Sequence, residues 1–476
     1  MKKNIFYNIA LSLSNVIFPL VSFPYAARIL GPKGIGEAQF IFSYAQYFAL
    51  FAALGIPIYG IKEIAKNKED KEATKGTFLS LSIIFFITSI IASIAYLCSI
   101  IFIPYFSGQS TSYITAGILV LLSFTYTDWY YAGKGEFKAI TVRSLIVKAL
   151  ALLLLYVFVK KAEDLYAYLG ILIFTILGNQ VYSFVIIYFT NRASHYQLEF
   201  KKHLKPLLFI FGATAASSMY TVWDSVLLGF LTNASAVGYY TAAIKFIKLI
   251  LPFVTSVGAV FIPILSQDFA QKNYEAVQKN LSSSFYFIVA LTIPVTVGTI
   301  LIAPEIIYLF SGKLFTSSIL PMQIMSILPC IIGFGHLFAF QILIPADKTK
   351  EVFIAMLVGL FTSAVLNFII TPLYQEIGAS IACVITEVSV TLVYFYYCAK
   401  LFSFKYPWKF LGQSLAASLV FIPLAIGLKE IATNIYIYTA AILISCVVSY
   451  IIIQLYVFKN TFLLNYLSKN KLLGSE

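Results

Sequence analysis

Residues 77–106 read TFLSLSIIFFITSIIASIAYLCSIIFIPYF, a run of 30 residues without a charged side chain. The stretch before it, 62–75, reads KEIAKNKEDKEATK and is mostly charged or polar. A helix needs about 20 apolar residues to cross the hydrocarbon core of a bilayer. The run is therefore long enough to span a membrane, and the charged flank is expected to stay in water.

The composition of the whole chain agrees with that run. Of its 476 residues, 60% are hydrophobic and 11% are charged, and the mean hydropathy is +0.88. A soluble domain is about 45–50% apolar and about 25% charged. A soluble enzyme, a disordered scaffold and a nucleic-acid-binding module are excluded, because each needs more polar surface. The sequence predicts a protein embedded in a bilayer.

Fourteen apolar segments are long enough to span. They are 5–27, 37–60, 77–106, 113–133, 140–159, 165–190, 206–231, 237–265, 281–310, 319–345, 352–373, 377–401, 410–428 and 434–458. The short alternating segments of a membrane β-barrel are absent from the sequence. We predict an all-α integral membrane protein with about 14 transmembrane helices. The first segment follows Lys2 and Lys3 like a secretion signal, but it is longer than such signals, so we interpret it as an uncleaved span.

The distribution of basic residues predicts the orientation. With the amino terminus inside, the inside segments hold 24 Lys and Arg residues and the outside segments hold 6. Basic residues accumulate on the cytosolic side of membrane proteins. The net charge of +13 is therefore attributed to cytosolic loops, with both termini in the cytosol.

A weak internal repeat divides the chain. Residues 30–38 read LGPKGIGEA and open the second segment, and residues 231–240 read LTNASAVGYY and open the eighth. Setting Gly36 on Gly238 gives an offset of 202 residues, or six helices. An even number of helices makes the two copies parallel, as in some transporters. We predict two six-helix lobes and two added carboxyl-terminal helices, with boundaries at 1–205, 206–402 and 403–476.

Motifs for catalysis or metal binding are missing. The five cysteines lie in apolar stretches without a CxxC, the three histidines have no ligand spacing, and neither a GxSxG nor a Walker A sequence is present. We expect no enzyme activity, no cofactor and no metal. A membrane glycosyltransferase or sugar polymerase is the rival class, but the short outside segments carry few acids for such chemistry.

A few ionisable residues lie in or at the ends of spans, where they are costly and usually functional. The candidates for binding an anion such as phosphate are Arg28, Arg143, Lys148, Lys245 and Lys248. The candidate cavity acids or ion-coupling residues are Asp128, Asp224 and Glu387. An excess of basic groups in a cavity favours an anion. The alternative is that the lysines extend to the membrane surface or pair with Asp128 or Asp224.

Prolines within spans are candidate hinges, because proline removes a backbone donor and kinks a helix. The residues are Pro19, Pro24, Pro57 and Pro252. Ordinary membrane prolines that neighbouring helices tolerate are an equally good interpretation.

Several stretches resemble the polysaccharide flippases of the Wzx type, in the multidrug/oligosaccharidyl-lipid/polysaccharide exporter superfamily. These stretches are residues 15–19, 23–32, 34–36, 54–57 and 60–65, the segment DWYYAGKGE at 128–136 with Thr141 and Arg143, residues 224–229, 237–245 and QILIP at 341–345. The similarity extends over roughly residues 1–400. Beyond residue 400, the last two predicted spans resemble this family only in being further membrane-spanning segments.

The resemblance implies 14 helices in the inner membrane of a bacterial cell and alternating access, coupled to a proton or sodium gradient. The implied substrate is an undecaprenyl-diphosphate-linked oligosaccharide, moved from the cytosolic to the outer leaflet for O-antigen, capsule or exopolysaccharide synthesis. The implied partners are this lipid-linked oligosaccharide, membrane lipid, a polysaccharide polymerase and assembly proteins. A lipid II flippase and a cation-coupled drug antiporter of the same superfamily remain alternatives, and the lysine excess counts against the antiporter.

Overall fold

A computed structural model describes residues 2–106, 110–191, 198–401, 403–432 and 434–460. Within these ranges the chain forms helices and no β-strand. Arg192, Lys469 and Lys471, which the orientation argument counts as cytosolic, lie outside the described residues.

Seventeen α-helices follow one another along the described chain. They are α1 Lys2–Ala53, α2 Ile56–Lys66, α3 Lys71–Phe102, α4 Ser110–Leu121, α5 Asp128–Lys134, α6 Phe137–Phe158, α7 Leu165–Asn191, α8 Phe200–Leu231, α9 Ala234–Ala270, α10 Tyr274–Leu301, α11 Ala303–Phe310, α12 Ile319–Met325, α13 Leu328–Phe338, α14 Thr349–Leu401, α15 Trp408–Leu419, α16 Phe421–Ile431 and α17 Ile435–Ile452. Short π-helical segments, Ala339–Leu343 and Ile453–Val457, follow α13 and α17.

Ten helical stretches of the described residues are long and apolar enough to cross a membrane. Two of them, Phe6–Lys66 and Thr349–Leu401, each contain two of the predicted segments. Non-helical backbone divides α1 at Gly31 (φ 65°, ψ −179°) and α14 at Gln375 (φ 48°, ψ −125°). The all-α membrane architecture is confirmed, and these divisions make the structure consistent with about 14 spans.

The two parts of α14 pack against each other. A Cβ atom on Gly359 would lie 2.4 Å from Val390 Cγ2, and one on Gly378 would lie 2.6 Å from the Ile370 carbonyl oxygen. The helix before Gln375 and the helix after it are therefore neighbours, as expected of two spans joined by a tight turn.

Helix directions in the amino-terminal part follow the alternation of a multi-pass protein. Thr141 Oγ1 donates to the Tyr7 carbonyl at 2.9 Å and Tyr25 donates to the Val159 carbonyl at 3.0 Å, so the start of α1 runs parallel to α6. The predicted segments 1 and 5 should be parallel, because an even number of crossings separates them.

The next pair of helices is antiparallel. Tyr44 donates to Ser99 Oγ at 2.8 Å, and Thr88 donates to the Ala52 carbonyl at 2.6 Å. The end of α1 and α3 therefore run in opposite directions, as consecutive spans must.

The chain divides into two compact units, Met1–Thr241 and Ala242–Glu476. In the first unit the largest fully buried side chains include Trp129, Tyr96 and Phe78. The core of the second unit is built from α9, α10, α13, α14 and α15, with Phe285 and Leu337 fully buried. These apolar cores hold the polar residues described next at fixed depths.

Candidate functional site

A buried ion pair connects three helices of the first unit. Arg143 of α6 binds the carboxylate of Asp128 at the start of α5, with side-chain exposures of 7% and 29%. Arg143 Nε also donates to Asn179 Oδ1 of α7 at 3.2 Å. Both charged residues are predicted site residues. The cation beside Asp128 is Arg143, however, rather than one of the predicted lysines.

The Asp128→Asn variant should unfold more easily than the wild type. Removing one partner leaves the other charge buried without compensation, which costs about 3 kcal/mol. Arg143 is the more buried partner, so losing the carboxylate is the more damaging change. The thermal unfolding temperature of the purified protein in detergent measures this loss, and Asp128→Leu combined with Arg143→Met should recover part of it.

The exposed ion pair between Lys202 Nζ and Glu199 Oε2, 2.5 Å apart, is a matched control. Its side chains are 54% and 49% exposed, and such surface pairs contribute at most about 1 kcal/mol. Glu199→Gln should therefore leave the unfolding temperature almost unchanged. Equal stabilities of Asp128→Asn and Glu199→Gln would contradict a structural role for the buried pair.

Lys148 lies near the middle of α6 and is half-buried. Its ammonium group donates to Ser14 Oγ at 2.8 Å and to Asn15 Oδ1 at 2.5 Å, both on α1. These neutral oxygen atoms orient the ammonium group without neutralising its charge. Lys148 therefore places a positive charge at membrane depth between α1 and α6.

Arg28 is exposed near the end of the first predicted span, and its Nη1 donates to the Pro24 carbonyl at 2.8 Å. It lies 13 residues beyond Asn15 on α1, which is roughly 20 Å along a helix. Arg28 and Lys148 are therefore at different depths. The structure places these two predicted anion ligands in succession along α1 rather than in one cluster.

A reciprocal glycine contact joins α1 to the start of α9 within the first unit. A Cβ atom on Gly36 would lie 1.7 Å from the Ala234 carbonyl oxygen, and one on Gly238 would lie 2.0 Å from the Pro32 carbonyl oxygen. The offset of 202 residues relates Pro32 to Ala234 as well as Gly36 to Gly238. Each copy of the motif therefore makes the same contact on the other, as across a two-fold axis.

A small cavity of about 300 Å³ lies beside this contact. Its lining includes Glu37, Phe40, Tyr105 and Tyr113. Nearby, the buried carboxylate of Asp224 accepts a hydrogen bond from the Tyr240 hydroxyl at 3.3 Å. Asp224, a predicted cavity acid, thus lies where α8 meets the start of α9.

The second unit carries the remaining charged candidates. Lys245 is half-buried and Lys248 is exposed on α9, three residues apart and on one face of the helix. Glu387 is half-buried in the second part of α14. The structure therefore places the two lysines together and Glu387 on another helix.

An apolar groove of about 570 Å³ crosses the surface of the second unit. Its lining comes from α9, α10 and the carboxyl-terminal helices, with Ile250, Val295, Phe421 and Val447 among the residues. A groove of this kind suits a hydrocarbon chain. The composition of the last two predicted spans gave no sign of it, because the groove depends on how these helices pack.

The predicted hinge prolines differ in their surroundings. Pro19 and Pro24 lie inside α1 and Pro252 lies inside α9. Pro57 is in the first turn of α2, directly after a break at Leu54 (φ 45°) and Gly55 (φ 75°). In α1 and α2 the backbone leaves helical geometry at Gly31 and Leu54–Gly55, not at the prolines themselves.

His203 is a polar residue whose position the sequence did not indicate. It lies in the first turn of α8 and is 2% exposed. Its Nδ1 and the Tyr59 hydroxyl share a hydrogen bond of 2.8 Å. Burial lowers the pKa of the imidazole, and the buried Glu63 opposes that shift. His203 precedes the predicted span, so this pair fixes the amino-terminal end of α8 to α2.

The family model described as "Polysaccharide biosynthesis protein" matches residues 1–269, more than half of the chain. The chain belongs to the polysaccharide biosynthesis protein family. A second model, MatE, matches residues 210–369 of this polysaccharide biosynthesis protein. The two matches together agree with membership of the multidrug/oligosaccharidyl-lipid/polysaccharide superfamily.

One curated relative covers most of this polysaccharide biosynthesis protein, and another covers less than half of it. A putative O-antigen transporter of Escherichia coli K12 is 23% identical over 402 residues, which is 82% of this chain and 95% of the relative. A probable low-salt glycan biosynthesis flippase of Haloferax volcanii is 21% identical over 44% of this chain and 45% of the relative.

Solved structures share the fold. A lipid II flippase in an inward closed conformation matches with a TM-score of 0.74 and 20% identity, over 96% of this chain and 99% of that one. An inward-facing multidrug transporter of the MATE family matches with a TM-score of 0.61 and 14% identity, over 83% and 97%. The polysaccharide biosynthesis protein is therefore a multi-pass membrane protein with the fold of this transporter superfamily.

Proposed function

We propose that this protein is a flippase that carries a polyprenyl-diphosphate-linked oligosaccharide across the membrane. The observation that carries the proposal is the presence of lysine ammonium groups at membrane depth, at Lys148, Lys245 and Lys248. Charges at that depth are costly and mark substrate paths. A diphosphate is the kind of anion that such lysines bind.

The apolar groove of the second unit is evidence in favour of a substrate that carries a lipid chain. Its lining is almost entirely hydrocarbon, with Val295, Phe421 and Val447 as examples. A polyprenyl chain can lie in such a groove while its diphosphate contacts the lysines of α9. A soluble anion would have no use for the groove, so the two features together favour an anion attached to a lipid.

The names of the relatives agree with the proposal. They are described as O-antigen transporters in two bacteria and as flippases in Haloferax volcanii. The resemblance to Wzx-type flippases adds an undecaprenyl-diphosphate oligosaccharide as the proposed cargo and the outer leaflet as the proposed destination. A polysaccharide polymerase and assembly proteins would then receive the product.

The proposed mechanism is alternating access. Arg28 and Lys148 lie at different depths along α1, so the diphosphate would contact them one after the other. Arg143 is held by Asp128 and contributes mainly to structure. Asp224 and Glu387 are then the acids proposed for coupling to a proton or sodium gradient.

The basic-residue bias of 24 to 6 supports a location in the inner membrane with both termini in the cytosol. In this orientation the glycine contact between α1 and α9 lies at the outer side and His203 at the inner side. Cargo loaded from the cytosol would therefore meet Lys148 before Arg28.

A lipid II flippase is the second candidate function. The structural match with a TM-score of 0.74 favours it, and lipid II offers the same diphosphate and polyprenyl chain with a different sugar. A drug antiporter is less consistent with the charges, because a cationic drug would be repelled by Lys245 and Lys248.

Reconstitution in vesicles tests the proposal. Vesicles with the purified protein should expose an undecaprenyl-diphosphate oligosaccharide from the inner leaflet to an external glycosidase at least ten times faster than protein-free vesicles. The same oligosaccharide on a monophosphate should move more slowly, because it offers less charge to the lysines. Movement of lipid II alone would select the second candidate, and movement of neither lipid would contradict both.

A further inference from the structure

The two copies of the internal repeat differ at one matched position. In the first copy the helix breaks at Leu54 and Gly55 and restarts as α2 at Ile56. Adding the offset of 202 residues to Gly55 gives position 257, one residue before Gly258. The helix of the second copy, α9, continues through Gly258 as far as Ala270. One copy is thus broken where the other is continuous.

The continuous helix is weak at this point. Pro252 and Pro263 lie inside α9 on either side of Gly258. Each proline lacks a backbone N–H group, so the carbonyl four residues before it has no helical partner. Glycine adds conformational freedom in the helix interior. These residues make the middle of α9 the part that bends most easily.

Two polar side chains of the second unit face Gly258. A Cβ atom on Gly258 would lie 2.1 Å from His336 Cε1 and 3.1 Å from Gln341 Nε2, so both groups occupy the space that the missing side chain leaves. The His336 ring also stacks on Phe340, with ring centroids 4.7 Å apart. Polar groups are therefore held against the backbone of α9 at its weakest point.

Gln341 is unusual among these groups. It is 0% exposed, and neither its Nε2 nor its Oε1 has a hydrogen-bond partner among the described residues. It also lies in the π-helical segment Ala339–Leu343, and π-helical turns often occur at functional sites. A buried amide without partners destabilises a protein, and an apolar residue of the same size would avoid that cost. Partners brought to the amide in another conformation would remove that cost.

We propose that α9 bends at Gly258 during transport, and that Gln341 is a positioning residue whose amide bonds the backbone groups exposed by the bend. The proposal rests on the alternating-access function proposed above. Lys248 is 10 residues from Gly258, so a bend of about 20° would move it by roughly 5 Å. The bend would carry Lys245 and Lys248 between a loading and a release position.

The Gln341→Leu variant is the first test. Its unfolding temperature should equal or exceed that of the wild type, because two unpaired polar atoms disappear, while transport in vesicles should fall at least tenfold. A purely structural glutamine would lose stability and activity together. Gln454→Leu is the matched control, since Gln454 is also fully buried in a π-helical segment, but its Oε1 accepts a hydrogen bond from Asn460 at 3.5 Å and only its Nε2 has no partner among the described residues. It should keep its transport rate per folded molecule.

A second pair of variants tests whether Gly258 is needed to make room for the His336 side chain or to let α9 bend. In His336→Ala the imidazole, which is the nearest group, is gone, so an added Gly258→Ala methyl group would next meet Gln341 Nε2, the end of a flexible side chain, at 3.1 Å. If Gly258 serves only to make room, the double variant should transport as fast as His336→Ala. If α9 bends there, alanine stiffens the helix and the double variant should be at least tenfold slower. Equal rates in these two variants, or wild-type transport by Gln341→Leu, would overturn the proposal.

Amide hydrogen exchange provides a readout that does not depend on the substrate. Exchange in a peptide covering residues 252–263 should be several times faster in the wild type than in Gly258→Ala/His336→Ala. If wild-type vesicles move no lipid-linked oligosaccharide but this difference is found, the proposed function fails and the bend stands. If transport is found without the difference in exchange, the function stands and the bend fails.

Discussion

Replacing Gly36 by alanine should reduce transport by about tenfold to a hundredfold. The added Cβ atom would lie 1.7 Å from the Ala234 carbonyl oxygen, far inside van der Waals contact, so α1 and α9 would have to separate. Overpacking of this kind costs about 1–3 kcal/mol. If the contact exists in only one state of the transport cycle, that cost shifts the population away from the state. Each 1.4 kcal/mol corresponds to about a factor of ten.

Gly238→Ala should have a similar effect, because its Cβ atom would lie 2.0 Å from the Pro32 carbonyl oxygen. Vesicle transport measures both variants, and detergent unfolding verifies that they fold. Gly34→Ala and Gly170→Ala are controls. The first would meet Leu30 Cβ at 3.0 Å, a far wider separation than those at Gly36 and Gly238, and the second would meet nothing within 4 Å. If Gly36→Ala transports as fast as these controls, the close contact has no role in the cycle.

Loss of the two lysines of α9 should have an effect of similar size. A charge-assisted hydrogen bond to a diphosphate contributes about 1.5–3 kcal/mol, so Lys245→Ala or Lys248→Ala should weaken binding roughly ten- to a hundredfold. Lys→Arg at either position should restore part of the activity, because arginine also binds phosphate. Surface polysaccharide made by a flippase-deficient strain carrying each variant gives the measurement.

Lys279→Ala is the control for the lysine variants. Lys279 is an exposed helical lysine of the second unit, on α10. Its removal changes the net charge by the same amount and should leave surface polysaccharide at the wild-type level. Normal polysaccharide from the Lys245 and Lys248 variants would mean that these side chains only extend to the membrane surface.

The fold class followed from the sequence because hydropathy is a local property. A window such as 77–106 carries enough apolar side chains to favour a spanning helix whatever its neighbours are. The resemblance of residues 15–36 and 128–136 to flippases likewise needed no coordinates, and the family match over residues 1–269 confirms it. The boundaries of the lobes, the roles of the site residues and the coupling ion remain predictions.

Pairings between side chains could not be read in the same way. The sequence placed Asp128, Arg143 and Lys148 in or at the ends of spans, but it did not indicate that Arg143 binds Asp128 while Lys148 binds Ser14 and Asn15. Which residues meet depends on the rotation of each helix about its axis and on the choice of neighbours. Both are set by the packing of many distant side chains.

The internal repeat illustrates both what the sequence determined and what only the tertiary structure could decide. The sequence by itself matched Gly36 to Gly238, because the spacing of small residues survives in both copies. Only the tertiary structure revealed that the matched glycines touch each other's helices, and that Gln341 is buried beside Gly258 with no hydrogen-bond partner in the part of the chain that the structure describes. The hydropathy of an apolar segment is a sum over its own residues. A contact between two helices, in contrast, depends on the positions of both helices.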